Sequence, residues 1–346
     1  MITGRLAWAL VVLASSTPVT PIALPPGPLL GVSVAHLHVP GFGYGSQRAR
    51  EQLEQLRAQG ANWVSVMPFF YLPASDSPEV RRGRDPTLRD EDWLQEVAHA
   101  HAAGLRVMLK PHLWIHGSWP GAVKMRSEAD WARFFRAYRD LVVPLAEQAQ
   151  RAGVDLFCVG VELKEATLAQ PARWRALVEE VRRVYRGPVT YASNWDEVHA
   201  VSFWDALDAV GVDAYFPAAD GPGADVTRMK ERLLSALRPV DALATRAGRP
   251  LLLTEVGYPA LHGGAARPWE LPDGARADVD EAVRAWQALL EVAPGLGSLR
   301  GMFAWKWYTS SFNPFDRDAY SLEGTPAMHL LSQHYRRWGS GVGRGP

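Results

Sequence analysis

The sequence predicts an α/β protein, a single (β/α)8 barrel of the TIM type, and three observations carry that expectation. Apolar, strand-like runs alternate with amphipathic helical stretches across residues 29–340. Eight such runs occur, the number that closes a parallel barrel. Two of them, FCVGVELKE (Phe157–Glu165) and LLLTEVGYP (Leu251–Pro259), end by presenting a carboxylate, Glu162 and Glu255. A buried strand does not ordinarily finish in an acid, because an unpaired charge withdrawn from water is costly. In a barrel all strand C-termini open onto one face, which would bring two such acids into one cleft.

The strands are predicted at Leu30–Ala35, Asn62–Pro68, Arg106–Lys110, Asp155–Glu162, Pro188–Ser193, Ala209–Tyr215, Pro250–Glu255 and Leu299–Trp305. Helices are predicted between them at Ser46–Gln59, Asp90–Ala103, Ser127–Arg151, Pro171–Tyr185, Thr227–Arg246 and Val279–Val292, with Ala327–Trp338 closing the chain. Asp90 and Ser127 read as N-caps, and Gly60, Gly104, Gly153 and Gly248 stand where helices should stop. The segment after the fifth strand is the weakest, with only Val201–Asp208 available for a helix. The Gly- and Pro-rich stretch Leu261–Arg276 reads as a cleft-side loop.

Composition narrows the function. Lys+Arg and Asp+Glu stand at 37 each, so no net charge marks a nucleic-acid or anionic-membrane partner. Cys158 is the one cysteine, a small buried hydrophobe that rules out an intrachain disulfide. Fourteen tryptophans are many for 346 residues, and about a third are expected as platforms for sugar faces. Residues 1–14 read as a secretory leader, with Arg5, an apolar core from Leu6, and a small-residue cleavage site at Val12-Leu13-Ala14. That core is far shorter than the ~20 residues of a membrane span. Residues 15–28 read as a Pro-rich linker into the catalytic domain, 29–340. A secreted or periplasmic monomer is expected.

Glu162 and Glu255 lie about three strand–helix units of roughly 30 residues apart. Paired carboxylates are what glycosidic bond cleavage uses. Either acid alone reads equally well as a surface residue paired to Arg or Lys. Two on the fourth and seventh strands of one barrel argue against that. Asn194 and Trp195 end the fifth strand and can hydrogen-bond and stack with a sugar. Lys110 and His112, at the third strand, are further candidates for binding substrate, with a buried, satisfied histidine as the alternative.

The strings FCVGVELKE, TYASNWDEV, VGVDAYFP, LLLTEVGYP and GMFAWKWY, in that order, resemble the glycoside hydrolases of clan A, and most of all family 113, whose known members are chiefly β-mannanases. Together they sample the fourth to eighth strands, and KPHLW (Lys110–Trp114) adds weak support at the third. The resemblance implies that Glu162 is the general acid/base and Glu255 the nucleophile of a retaining double displacement. It implies that Tyr215 holds the nucleophile through its hydroxyl and that Trp305 floors the subsite of the reacting sugar. No cofactor or metal is implied. Many clan members carry Asn immediately before the acid/base; here Val161 occupies that position, as the family 113 pattern allows. Asn194 is then the expected contact for the sugar 2-hydroxyl.

Three rival readings remain. His36-Leu37-His38 resembles the metal pair of amidohydrolase barrels, but Asn194 and Tyr215 stand where those enzymes need histidines. A non-catalytic carbohydrate-binding barrel would keep the aromatics and lose an acid. The same mechanism on β-glucan or xylan is not separated by the catalytic pair, since loop contacts to individual hydroxyls choose the polymer. The expectation is a retaining glycoside hydrolase acting on a β-linked polysaccharide or oligosaccharide, in the first place an endo-β-1,4-mannanase.

Overall fold

Val, Leu and Ala recur through the eight predicted runs, and in the computed structural model each run forms one strand of a closed, all-parallel barrel. The structure describes residues 20–312 and 318–340. In chain order the elements are β1 (Leu29–Ala35), α1 (Gln47–Ala58), β2 (Trp63–Val66), β3 (Phe69–Leu72), β4 (Arg81–Arg82), α2 (Asp90–Ala102), β5 (Arg106–Leu109), β6 (His112–Ile115) and α3 (Glu128–Ala152). There follow β7 (Leu156–Val161), α4 (Lys164–Ala169), α5 (Pro171–Val184), β8 (Val189–Asn194), β9 (Val210–Asp213), α6 (Val226–Ala247), β10 (Leu251–Val256), α7 (Val279–Val292), β11 (Leu299–Tyr308) and α8 (Pro326–Gly339). The barrel closes in the order β1-β11-β10-β9-β8-β7-β5-β2. Strands β2, β7, β9 and β10 are buried along their whole length, which is why they read as continuous apolar runs.

The barrel interior is packed, not hollow. Leu29, Trp63, Met108, Leu156, Ala209, Leu252 and Phe303 form one buried cluster together with Leu24, which precedes the first strand. A Cβ added at Gly31 would lie 2.3 Å from the Phe303 ring, so glycine there makes room for the aromatic. Ile22 N–H donates to Asp208 at 2.7 Å, fastening residues before β1 to the barrel. The leader expected at residues 1–14 lies outside the described residues.

Helix ends follow their residues. Ser46, Ser127, Asp225, Asp278 and Thr325 each accept a hydrogen bond from the third residue of the helix they open. Asp90, expected as a cap, is instead the first helical residue behind Arg89. Its carboxylate joins Glu91 and Asp92 in the first turn, where negative charge complements the helix dipole. Gly153 and Gly248 close α3 and α6 in the left-handed conformation.

Two regions differ from expectation. Between β8 and β9 only a 3-10 turn, Trp204–Ala206, replaces the helix allowed over Val201–Asp208. Buried Asp208 explains the arrest, because it accepts from Val189 N–H at 2.7 Å, Arg182 at 2.9 Å and Ile22 N–H. The second is a three-stranded sheet, β4-β3-β6, built from residues following β2 and β5. Its strands alternate: Phe70, Leu72, Leu113 and Ile115 are buried, while His112 is half-buried and Trp114 exposed. No helix among the described residues is long and apolar enough to cross a membrane.

Candidate active site

The C-terminal ends of the barrel strands surround a cavity of about 890 Å³, lined by residues that follow or end β1, β2, β7, β8, β9, β10 and β11 and by β6. Glu162, Asn194, Trp195, Tyr215, Glu255, Trp305 and His112 all line it. Of the residues expected at a site, Lys110 alone is absent from the lining.

Register slips prepare both acids. The pairing of β7 with β8 shifts between Cys158 and Val161, immediately before Glu162. That of β10 with β9 shifts between Leu253 and Glu255, which places Glu255 opposite Asp213. Such bulges re-aim side chains at the rims of barrels.

Glu255 is buried, 4% exposed, with both oxygens engaged. Oε1 accepts from Lys110 Nζ at 2.5 Å and Oε2 from the Tyr215 hydroxyl at 2.7 Å. Burial alone would push this carboxyl up. The Lys110 ammonium, with the hydrogen bonds from Lys110 and Tyr215, reverses that and holds it below its ordinary value. Glu162 goes the other way. Burial, then the negative charges of Asp213 and Glu255, raise it well above the ordinary value, with only Lys110 opposing. Two carboxyls on one cavity are thus driven apart, one toward the ionised form and the other toward the protonated form.

Lys110, expected to touch sugar, lies beneath the cleft floor instead. It is fully buried, and its ammonium donates to Asp213 Oδ1 at 3.0 Å and Oδ2 at 3.2 Å as well as to Glu255. A buried ammonium needs such partners. Asp213 also accepts from Thr254 Oγ1 at 2.8 Å; burial and the Glu255 charge push it up to about 7. Asp213 and Thr254 were missed from sequence, although each sits within a string that was singled out, VGVDAYFP and LLLTEVGYP.

His112 approaches Glu255 Oε1 to 3.5 Å through Nε2, an atom with no hydrogen bond among the described residues. Burial, then the Lys110 ammonium, lower its pKa to about 4, so the ring is neutral and the approach is not an ion pair. It stacks on Trp305 with centroids 6.4 Å apart at 24°. Asn194 accepts Trp195 N–H through Oδ1 at 2.8 Å. Trp195 stacks on Trp269 at 5.2 Å and 22°. Trp114, Trp119 and Trp269, exposed by 56, 42 and 46%, join Trp195 and Trp305 in the cavity wall. These five answer the expectation that about a third of the fourteen tryptophans serve the cleft. Tyr320, with its ring 6.2 Å from that of Tyr215, is a further wall residue that sequence reasoning missed.

His36, His38 and Asp85 cluster at the cleft rim with ligand atoms within 4.8 Å of one another. The donor set does not suit a metal. His36 Nδ1 accepts Tyr44 N–H at 3.0 Å, so the ring proton sits on Nε2, which faces Thr87 Oγ1 at 3.2 Å. Coordination through Nε2 would require an imidazolate. His38 Nδ1 is hydrogen-bonded to Asp85. The cluster is a hydrogen-bonded rim.

Comparison with known proteins agrees with this geometry. The family model of Glycoside Hydrolase Family 113 matches residues 38–322. Comparison with curated proteins by sequence gives no match. Among solved structures the chain is similar to the family 113 β-mannanase AaManA from Alicyclobacillus acidocaldarius, in complex with ManMIm. Identity there is 26% and the TM-score 0.80, over 90% of this chain and 98% of that one. A family 113 β-1,4-mannanase solved as a complex gives 0.79 at 24% identity, over 90% and 99%. A β-glucuronidase from Faecalibacterium prausnitzii shares the barrel at 15% identity, with a TM-score of 0.62 over 90% of this chain and 49% of that one. With a closed (β/α)8 barrel, two glutamates at its mouth and a family match over most of its length, the chain belongs to glycoside hydrolase family 113.

Proposed function

We propose that this glycosidase is a retaining endo-β-1,4-mannanase in which Glu255 is the nucleophile and Glu162 the general acid/base. The observation that carries the reading is two glutamates on one cavity, of which Glu255 alone is gripped by Lys110 and Tyr215. Retention needs the two carboxyl groups about 5–5.5 Å apart, so that one can bond to the anomeric carbon while the other reaches the glycosidic oxygen. The Glu255 charge that helps raise Glu162, and the influence of Lys110 on both, are consistent with such an approach.

In the first step ionised Glu255 attacks C1 as Glu162 delivers its proton to the leaving oxygen, and a glycosyl-enzyme ester forms. Glu162, now a carboxylate, takes a proton from water, which attacks C1 and releases Glu255. Tyr215 and Lys110 keep the nucleophile charged and fixed. The neutral His112 and the Trp305 face accompany the reacting sugar, and Asn194 addresses its 2-hydroxyl. Five tryptophans along the cavity favour a polymer laid across several subsites, which supports endo action. The choice of mannan rests on the β-1,4-mannanase relatives.

The test is incubation with mannan, glucomannan, xylan, cellulose and mixed-linkage glucan, followed by product identification. Mannan and glucomannan should yield oligosaccharides of mixed length. Release of monosaccharide alone would overturn endo action. Turnover confined to xylan, cellulose or mixed-linkage glucan would overturn the mannanase reading.

A further inference from the structure

Glu162 is the one non-glycine residue among the described ones with a positive φ, 52°. Side chains rarely adopt that region, and it persists only where surroundings enforce it. The enforcing contacts are visible. Glu162 N–H donates to Ala192 O at 2.8 Å, and Lys164 N–H to Glu162 O at 2.9 Å, around Leu163 at φ −84°, ψ 53°. That is an inverse γ-turn. Leu163 N–H, at its centre, is taken by the Tyr191 hydroxyl at 2.7 Å.

Tyr191 in turn donates to Glu197 Oε1 at 3.0 Å. The same carboxylate accepts from Thr167 Oγ1 at 2.5 Å and, through Oε2, from Asn194 N–H at 3.1 Å. One acid thus ties the turn after β7, helix α4 and the end of β8. Glu197 is 1% exposed, and no ion pair joins it among the described residues. Burial pushes it up to about 7. Tyr191 is fully buried, its ring 5.3 Å from Trp174 and 5.8 Å from Phe203. A carboxyl buried without a cation is costly, and packing alone does not call for it. Its placement one hydroxyl away from the Glu162 turn gives it a task.

We propose that Tyr191 and Glu197 are positioning residues, which grip Leu163 N–H and so hold Glu162 in the left-handed conformation that aims its carboxyl at the leaving oxygen. The proposal rests on Glu162 being the acid/base. An acid held slightly out of line transfers its proton poorly, while attack by Glu255 is left untouched.

The experiment compares kcat/KM for phenyl and 2,4-dinitrophenyl β-mannotriosides across pH, in the parent, Tyr191→Phe, Glu197→Gln and Glu162→Gln. The dinitrophenyl group departs without a proton, so its kcat/KM reads nucleophilic attack alone. In Tyr191→Phe and Glu197→Gln the phenyl substrate should lose about tenfold or more. The dinitrophenyl substrate should stay within about threefold, and in Glu197→Gln, which removes a negative charge that helps raise Glu162, the alkaline limb of the phenyl profile should move to lower pH. Equal losses on both substrates, or none, in folded variants would overturn the proposal. Glu197→Gln preserves shape and serves if Tyr191→Phe fails to fold. Glu162→Gln reads the underlying assignment separately: if it shows no split between the substrates, the acid/base reading fails whatever Tyr191 does.

Discussion

At the scale of single residues, the proposed mechanism divides labour between two acids by what surrounds them. Glu255 is held ionised by Lys110 and Tyr215, so Glu255→Ala should abolish turnover of polymer. Adding azide with an activated aryl glycoside should return activity as the α-glycosyl azide, identified by NMR. Normal hydrolysis by that variant would remove Glu255 from its role. Tyr215→Phe removes one hydrogen bond to a charged group, which costs about 1.5–3 kcal/mol, or roughly ten- to a hundredfold in kcat. Lys110→Met withdraws the cation shared by Asp213 and Glu255. It should destabilise the fold by about 3–5 kcal/mol in a denaturant titration, as broken buried pairs do. It should also carry the acidic limb of the activity profile to higher pH. Glu162 and Glu255 were legible because each ends an apolar run with an acid. Lys110 was misplaced for a physical reason: its partners Asp213 and Glu255 come from other strands, and only closure of the barrel reveals them.

At the scale of elements, the strand cores were readable from apolar runs, and their ends were not. The slips before Glu162 and Glu255 are agreements between neighbouring strands, which no single strand's sequence records. The small sheet β4-β3-β6 was missed because β3 and β6 are four residues each and continue directly from barrel strands. Its period-2 alternation in FFYL and HLWI was nevertheless there to find. Helix α4, six residues long, was lost against the longer α5. Helix α2 carries a testable burden. Its Glu96 is fully buried and accepts from Gly45 N–H at 2.9 Å; burial pushes it up to about 8. The native state therefore holds this proton between about pH 4.5 and 8 while the unfolded chain releases it, so stability falls as pH rises through that window. Glu96→Gln should be more stable than the parent at pH 8 and gain little at pH 4, read by thermal unfolding at both.

At the scale of the molecule, the barrel gathers one residue or more from most strand ends around a single cavity. Closure in the order found is what converts distant strings of sequence into neighbours, and the count of eight strands was enough to expect it. On the proposed mechanism the opposed acids should give the whole enzyme a bell-shaped pH profile. Activity should fall as pH drops and Glu255 takes a proton, and fall again as pH rises and Glu162 loses its own. Both limbs should appear in kcat/KM for an unactivated substrate, and only the acidic limb for one with a good leaving group. The most direct test of the paired-glutamate mechanism is the anomeric form of the first product, followed by proton NMR from the start of hydrolysis of a β-1,4-mannooligosaccharide. The β anomer should form first and then mutarotate; first appearance of the α anomer would contradict double displacement.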